Sequence, residues 1–509
     1  MGLHAWRSPD ARSSESDGPD AIDSPIFGRM LGLVLDKYRR THPKLVRVEQ
    51  YLNGQHKPAF MPSIADPDLA HFRERSITNF CPLVVSAVSD NLFVDGFRPA
   101  SGGGNLPAWA TWEANNMHAV QSAVHFDALA YGEAYVRVIP GSDGFPEIEP
   151  LSPLSVTAVY KRPHDSFPQV CAVHSYEFVD GERRALIDLY DDRKVFRLIS
   201  KKEVTGDAED MPAAGEFELF DSFSHGLDFC PIVRFRNRAT TSPYVPSLGE
   251  VEPIIPIQDR LNDIALETAV AMQYGAFRQR WATGIDLGPD KSNEWTEETA
   301  RHPITGALSK MLFRNHQEAK HVKFSASRLV VSKDPDTKFG QFDATDITPY
   351  LSAYQSQIKY LATVAALPPH FVTGDMVNLS AEALMAAEAS LQQKIEDRKR
   401  VFGNSWKLVF RIIMELWGPL GEGEPSPEEA IRDAVIVWRD CTPRSFPATV
   451  DALGKAVTML QVPPQAAWQM IPGVTPDEIE QWDAWRRVWD QERDPSAQMA
   501  RAFAKSATE

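Results

Sequence analysis

The sequence predicts an α+β protein in which a mixed amino-terminal half gives way to a helical carboxy-terminal half. Three observations predict it. Short segments with two-residue alternation, Ala134, Val136 and Val138 foremost, recur with turn signals through residues 133–240. After Pro243 and Pro246 the apolar period lengthens to that of a helix. And 509 residues exceed what a single hydrophobic core serves, so about two to four substructures are expected.

Residues 1–26 are rich in Ser, Asp, Pro and Gly without periodicity and read as a flexible tail. A region of mixed elements then spans 27–245. Met30, Leu31, Val34, Leu35 and Tyr38 recur at helical spacing, Pro82–Leu92 reads as a second helix, and the Gly-rich tract Ser101–Asn105 breaks the chain. A helix follows over Met117–Leu129, then a strand from Tyr131 to Ile139. Ala172–Phe178 is another strand, ending at the Asp180-Gly181 turn.

From 246 to 284 the stripe Ile254, Ile257, Leu261, Ile264, Thr268, Met272 predicts one helix running toward Trp281, roughly 40 Å long, stopped by Gly284. Residues 285–347 form a mixed insert with a strand at Arg328–Ser332. Thr348-Pro349 opens a helix over 348–367, with Thr as N-cap and Leu351, Tyr354, Ile358, Leu361 and Ala365 on one face. Pro368-Pro369 ends it, and 368–379 is a loop. Ser380 caps the longest helix, 380–418, roughly 55 Å. A Gly- and Pro-rich linker then leads into helical pieces over 419–509 that carry Trp438, Trp468, Trp482, Trp485 and Trp489.

The sequence carries no motif that points to catalysis or to a bound cofactor. It has no phosphate-cradling G-x-x-x-x-G-K-[ST] loop, no dinucleotide fingerprint, no G-x-S-x-G elbow and no H-E-x-x-H. His316 and His321 are five apart, and His118 and His125 seven apart, spacings that do not gather a metal. The carboxylate pairs Glu297-Glu298 and Asp334/Asp336 read as solvated. Four separated cysteines give neither a disulfide scaffold nor a zinc cluster. With 53 Lys+Arg against 69 Asp+Glu, a net charge of −16 argues against a nucleic-acid binder held by a basic surface. No signal peptide and no bilayer-length apolar run is present, so the chain reads as cytoplasmic. The apolar stripes on the helices flanking the insert must be buried, either within the chain as a hairpin or between subunits of a ring.

Several stretches, in this order, resemble a known family. They are Asn79–Phe97, the strand at Tyr131–Val136, Pro231–Asn237, Ile257–Asp263, and Leu367–Pro369 with Asn378–Leu384. The chain is similar there, over about Phe27 to Trp417, to the portal proteins of tailed double-stranded DNA bacteriophages, in the sub-family of long-tailed phages. The resemblance implies a portal architecture: a mixed wing (27–245), two stem helices (246–284 and 348–367) enclosing a clip (285–347), a tunnel loop (368–379), a long helix (380–418) and a helical crown (419–509).

It also implies a function, a homododecameric ring at one capsid vertex through which DNA is packaged and ejected, assembled in the host cytoplasm. The implied partners are the chain itself, a terminase motor, head-completion or adaptor proteins, major capsid and scaffolding proteins, and DNA in the channel. Site residues implied on this basis are His370, Thr373, Asp375, Met376, Val377 and Asn378 toward the channel. Lys310, Arg314, Lys320, Lys323 and Lys333 fall in the clip, and Ile257, Leu261, Ile264, Thr268, Met272, Leu351, Tyr354 and Ile358 at the stem interface. The alternatives are a cytoplasmic enzyme with an unrecognised site, or another connector or minor capsid protein of a virion.

Overall fold

The computed structural model describes residues 25–59, 70–98, 107–141, 144–204, 211–240, 247–276, 280–283, 295–301, 308–314, 336, 338–341, 346–374, 381–418, 426–432, 434–439, 446–468, 471, 474 and 476–493. Of the expected tail, residues 1–24 lie outside the described residues, and Pro25 already opens helix α1 (Pro25–Leu52). Helices α2 (Ala70–Arg75) and α3 (Cys81–Ser89) follow; Pro82 sits at the start of α3, where its missing N–H costs nothing. Strand β1 (Val94–Arg98) leads to α4 (Pro107–Ala114) and α5 (Met117–Tyr131).

Two antiparallel sheets occupy the next hundred residues. Strands β2 (Glu133–Ile139), β3 (Glu147–Leu151) and β9 (Ile232–Arg236) form one, in the order β3-β2-β9. Strands β4 (Val156–Val159), β5 (Val170–Val179), β6 (Glu182–Tyr190), β7 (Lys194–Ser200) and β8 (Phe217–Ser224) form a meander in sequence order. The turn joining β5 to β6 has both central residues at positive φ, Asp180 at 55° and Gly181 at 86°, the hairpin geometry that Asp-Gly predicts. α1 is amphipathic, and its apolar face (Phe27, Leu31, Val34, Leu35, Tyr38) covers one face of the meander at Val170, Ala172, Ile187 and Leu189.

A short 3₁₀ turn precedes α6 (Ile255–Ala276), which is 22 residues long, about 33 Å. It is shorter than the sequence predicts. Trp281 lies in strand β10 (Arg280–Thr283), paired antiparallel with β13 (Lys338–Gln341), because Gly275 is a poor helix former and Trp281 and Thr283 suit a pleated backbone. β11 (Trp295–Arg301) and β12 (Leu308–Arg314) form a hairpin between them. The strand expected at Arg328–Ser332 lies outside the described residues.

α7 (Thr348–Ala365) begins with Thr348 inside the helix rather than as its cap: Asp346 Oδ1 accepts the Thr348 N–H at 2.9 Å and supplies the capping acceptor instead. α8 (Pro369–Thr373) occupies part of the expected loop, since Pro369 at its first turn opens a helix as readily as it closes one. α9 (Ala381–Trp417) is 37 residues, about 55 Å. Ser380, its expected cap, lies outside the described residues.

The carboxy-terminal segment contains α10 (Pro427–Arg432), β14 (Val435–Trp438), α11 (Phe446–Met459), α12 (Pro464–Trp468) and α13 (Pro476–Arg493). Trp438 was expected on a helical piece and is instead in a strand. The β-branched run Val435-Ile436-Val437 returns to pair antiparallel with β1. The main core gathers α3, α5, β2, β9 and α9, with Trp112, Trp406, Phe235, Phe402 and Phe410 fully closed from solvent. Among the described residues no helix is long and apolar enough to cross a membrane.

Candidate functional site

α6 and α7 pack on one another, and Arg260 Nε donates to Gln357 Oε1 across the pair at 3.1 Å. Their predicted interface residues divide into two sets. Ile257, Leu261 and Ile358 are buried in the chain's own core, so one face of each helix is already covered within a single copy, which corrects the expectation that these three meet a neighbour. Ile264, Thr268 and Tyr354 are half-buried, and Met272 and Leu351 are exposed. The sequence reading missed a second apolar series, Tyr360, Val364 and Phe371, all exposed on α7 and α8. Tyr360 and Val364 lie at i, i+4, a signal visible in the sequence once the core face is set aside.

α7 stops at Ala366, whose φ of 54° is left-handed, and Gly374 at φ 71° closes α8. His370 and Thr373, expected in a loop toward the channel, lie in the α8 turn. His370 Nε2 is 3.7 Å from Glu388 Oε1 of α9, and Thr373 Oγ1 donates to Pro369 O at 3.1 Å. Asp375, Met376, Val377 and Asn378 lie outside the described residues. Lys310 and Arg314 are on β12, opposite Thr299 and Trp295, while Lys320, Lys323 and Lys333 lie outside the described residues.

This junction is held by a buried charged network. Lys394 Nζ of α9 donates to Glu250 Oε2 and to Ala365 O, the end of α7, both at 2.8 Å. Arg398 donates to Glu250 Oε1 at 2.9 Å and to Asn237 Oδ1 at 2.6 Å, and Asn237 Nδ2 donates to Leu248 O at 2.8 Å. Burial disfavours every charge here and pulls Lys394 down. Glu250 is still held at about 2, because burial's upward pull is outweighed by Lys394, Asn237 and Arg398 together. Two glycines let the 247–250 strap lie this close. Gly132 (φ 94°) and Gly249 face the Ser247 and Ala130 carbonyls, and a Cβ at either would overlap backbone.

A second lock joins α6 to the start of α3. Tyr51 Oη donates to Asp259 Oδ1 at 2.6 Å; Gln258 Oε1 and Asn262 Oδ1 accept the Phe80 and Thr78 amides at 3.0 and 3.1 Å. Gln258 Nε2 also donates to Thr78 O, and Asn262 Nδ2 meets His56 Nδ1 at 3.1 Å. A third lock is made by His125, with Nδ1 against Leu92 O and Nε2 accepting from Trp406 Nε1, both at 2.9 Å, so the ring is neutral; burial pushes it down to about 4. The stretches Asn79–Phe97, Tyr131–Val136, Pro231–Asn237 and Ile257–Asp263 thus contribute to these locks, a role the sequence did not assign to their polar residues. Among the described residues no group of three or more His, Cys, Asp or Glu can hold a metal ion.

Residues 31–488 match the family model described as phage portal protein, SPP1 Gp6-like. A portal protein of Mycobacterium phage D29 is 26% identical over 389 residues, covering 73% of this chain and 71% of that protein. A portal protein of Mycobacterium phage L5 is 25% identical over 424 residues, covering 81% and 78%. Among solved structures, a chain from the neck of a native gene transfer agent particle, computed with C12 symmetry, is covered over 99% of its length and covers 84% of this chain, with 12% identity and a TM-score of 0.38. A chain from the virion of the native gene transfer agent particle gives 99%, 82%, 12% and 0.37.

Proposed function

We propose that this chain, which belongs to the SPP1 Gp6-like family of phage portal proteins and is a structural component of the virion at its head–tail connection, closes into a ring of twelve copies whose centre passes double-stranded DNA. The observation that carries the ring is the apolar surface left on the α6–α7–α8 unit. One face is buried in the chain's own core, yet Met272, Leu351, Tyr360, Val364 and Phe371 stand exposed on it. Exposed apolar residues on a packed helix pair mark a self-association surface, and a repeated head-to-tail contact closes a ring. Negative-stain imaging with particle mass tests it: rings with a central hole are expected. A strictly monomeric species at micromolar concentration, unchanged by salt, overturns it.

In this reading α6 and α7 are the stem, 285–347 is a clip offering Lys310, Arg314, Lys320, Lys323 and Lys333 to the terminase motor or an adaptor protein, and 368–379 faces the channel. Major capsid and scaffolding proteins contact the sheet-rich half. The acidic balance of the chain suits a conduit, since each phosphate neutralised by Lys or Arg adds affinity that resists sliding. Asp375 is the single acid in the channel segment, and no strong phosphate anchor accompanies it. Deleting Asp375–Leu379 is expected to leave rings intact and impair packaging or retention of DNA; rings that fill heads at the normal rate refute the channel role.

The family is structural. We extend this to the absence of ATPase, nuclease or hydrolase activity, because the sequence lacks a phosphate-cradling loop and packaging work then falls to a partner motor. Purified rings that hydrolyse ATP at on the order of tens per second would overturn that extension.

A further inference from the structure

Two cysteines from different sheets meet inside the sheet-rich half. Cys171 is on β5 of the meander, opposite Ala158 of β4 and Tyr190 of β6, and Cys230 stands just before β9 of the other sheet. Both are closed from solvent in one small cluster with Tyr135, Tyr190, Val195 and Ile232. The Cys230 thiol donates a hydrogen bond to the Cys171 sulfur, and the Ile232 amide donates to the Cys230 sulfur, which holds the two side chains against each other. Both thiols are free, as is Cys81, which lies apart from them in the main core.

Among the described residues no third His, Cys, Asp or Glu joins such a pair to complete a metal site, so the chemistry open to the two sulfurs is with each other. Burial keeps Cys230 protonated and closes the pair to bulky disulfide reagents, which need an exposed thiolate. A neutral oxidant of about water's size needs only a small local opening to reach it. Cys230 precedes Pro231 and lies outside the β9 ladder, which leaves its backbone room for the approach that a sulfur–sulfur bond of about 2 Å requires. A virion component also leaves the reducing interior of its host for surroundings in which disulfides persist.

We propose that Cys171 and Cys230 are a redox pair that peroxide converts to a disulfide, tying the meander to the β3-β2-β9 sheet. One sulfur attacks the peroxide O–O bond, giving a sulfenic acid and a water; the second sulfur displaces the sulfenic hydroxyl, which leaves with the second thiol's proton as another water. The two thiols lose the two electrons that the peroxide gains. Peptide mapping of the folded, full-length protein treated with hydrogen peroxide, then unfolded under an alkylating agent, tests it. A peptide linking Cys171 to Cys230 is expected, together with an unfolding midpoint raised by several degrees. Cys81→Ser should keep both effects and Cys230→Ser should abolish both. Thiols that remain open to alkylation, sulfinic or sulfonic acid at either cysteine in place of the link, or a link that leaves the midpoint unchanged, overturn the proposal. Should Cys230→Ser fail to fold, the wild-type map decides: the link must form in the folded chain in preference to pairings with Cys81, and a random set of pairings refutes it.

Discussion

The core around α9 and the segment from α11 to α13 place the same kinds of side chain in opposite surroundings. Trp112, Trp406, Phe402 and Phe410 are closed from solvent and packed ring against ring, with Trp112 4.9 Å from Trp406 and His125 5.4 Å from Phe402. At the end of α11 and in α13, Met459, the following Leu460, Trp485, Val488 and Trp489 are exposed, Met459 at 76% and Trp485 at 65%. The first region is complete within one copy. The second presents Trp485, Val488 and Trp489 at i, i+3 and i+4 on one face of α13, each more than half exposed. Loss of side chains in the first region should cost folding and in the second should not, so mutations in the two regions should be separable.

The largest effect is expected where the finished region depends on a charge. Glu250→Ala leaves Lys394 and Arg398 buried with their shared carboxylate gone, which should cost about 3–5 kcal/mol. Urea unfolding of the chain would show it as a lowered midpoint; a change below about 1 kcal/mol would mean that the network adds little. Acid should act in two stages, through His125 and Glu250 in this region and through His174 on β5 of the meander. His125 titrates at about 4 and His174 at about 3 when folded, against 6.5 unfolded, so the unfolded state binds more protons and stability falls as pH drops below 6.5. Glu250 adds a further loss between about 4.5 and 2, since its folded value is depressed. His125→Gln should flatten the slope between pH 6.5 and 4, whose full height at one buried histidine is about 3 kcal/mol.

Gly132→Ala should cost about 1–3 kcal/mol through strain at its positive φ and the Ser247 carbonyl, without altering assembly of the protein that does fold. The smallest stability effect belongs to the open region. Trp485→Ser with Leu460→Ser should change unfolding by less than about 0.5 kcal/mol per site, because neither side chain is buried in the chain. Sedimentation should nonetheless show weaker self-association. If instead the double variant unfolds readily, the two regions are not separable.

The helices were legible because their stripes are long: α7 and α9 follow the apolar period, and the Asp180-Gly181 turn states its own geometry. What the pattern left open was direction. Ile257, Leu261 and Ile358 form a stripe that a neighbour or the chain itself would cover equally well, and only the packed core distinguishes the two. Trp281 and Trp438 were misplaced because a four-residue strand cannot be told from the end of a helix by period, and the partners that decide it, Gly340 and Val94, are far along the chain. The locks were invisible for a similar reason. Gln258 and Asn262 meet residues around position 80, and Lys394 meets Glu250, across separations no local window spans.

The pairing of β1 with β14 has a temporal side. Arg439, next to β14, reaches Asp95 of β1 across 344 residues at 2.8 Å. At about 5–20 residues per second of synthesis, the first strand waits roughly 17–70 s for its partner to leave the ribosome. Throughout that interval Val94–Arg98 is an open edge of the kind that recruits foreign strands. A nascent chain cut short before Val435 therefore keeps the edge exposed for good. Truncated copies are thereby expected to associate wrongly through this single short strand.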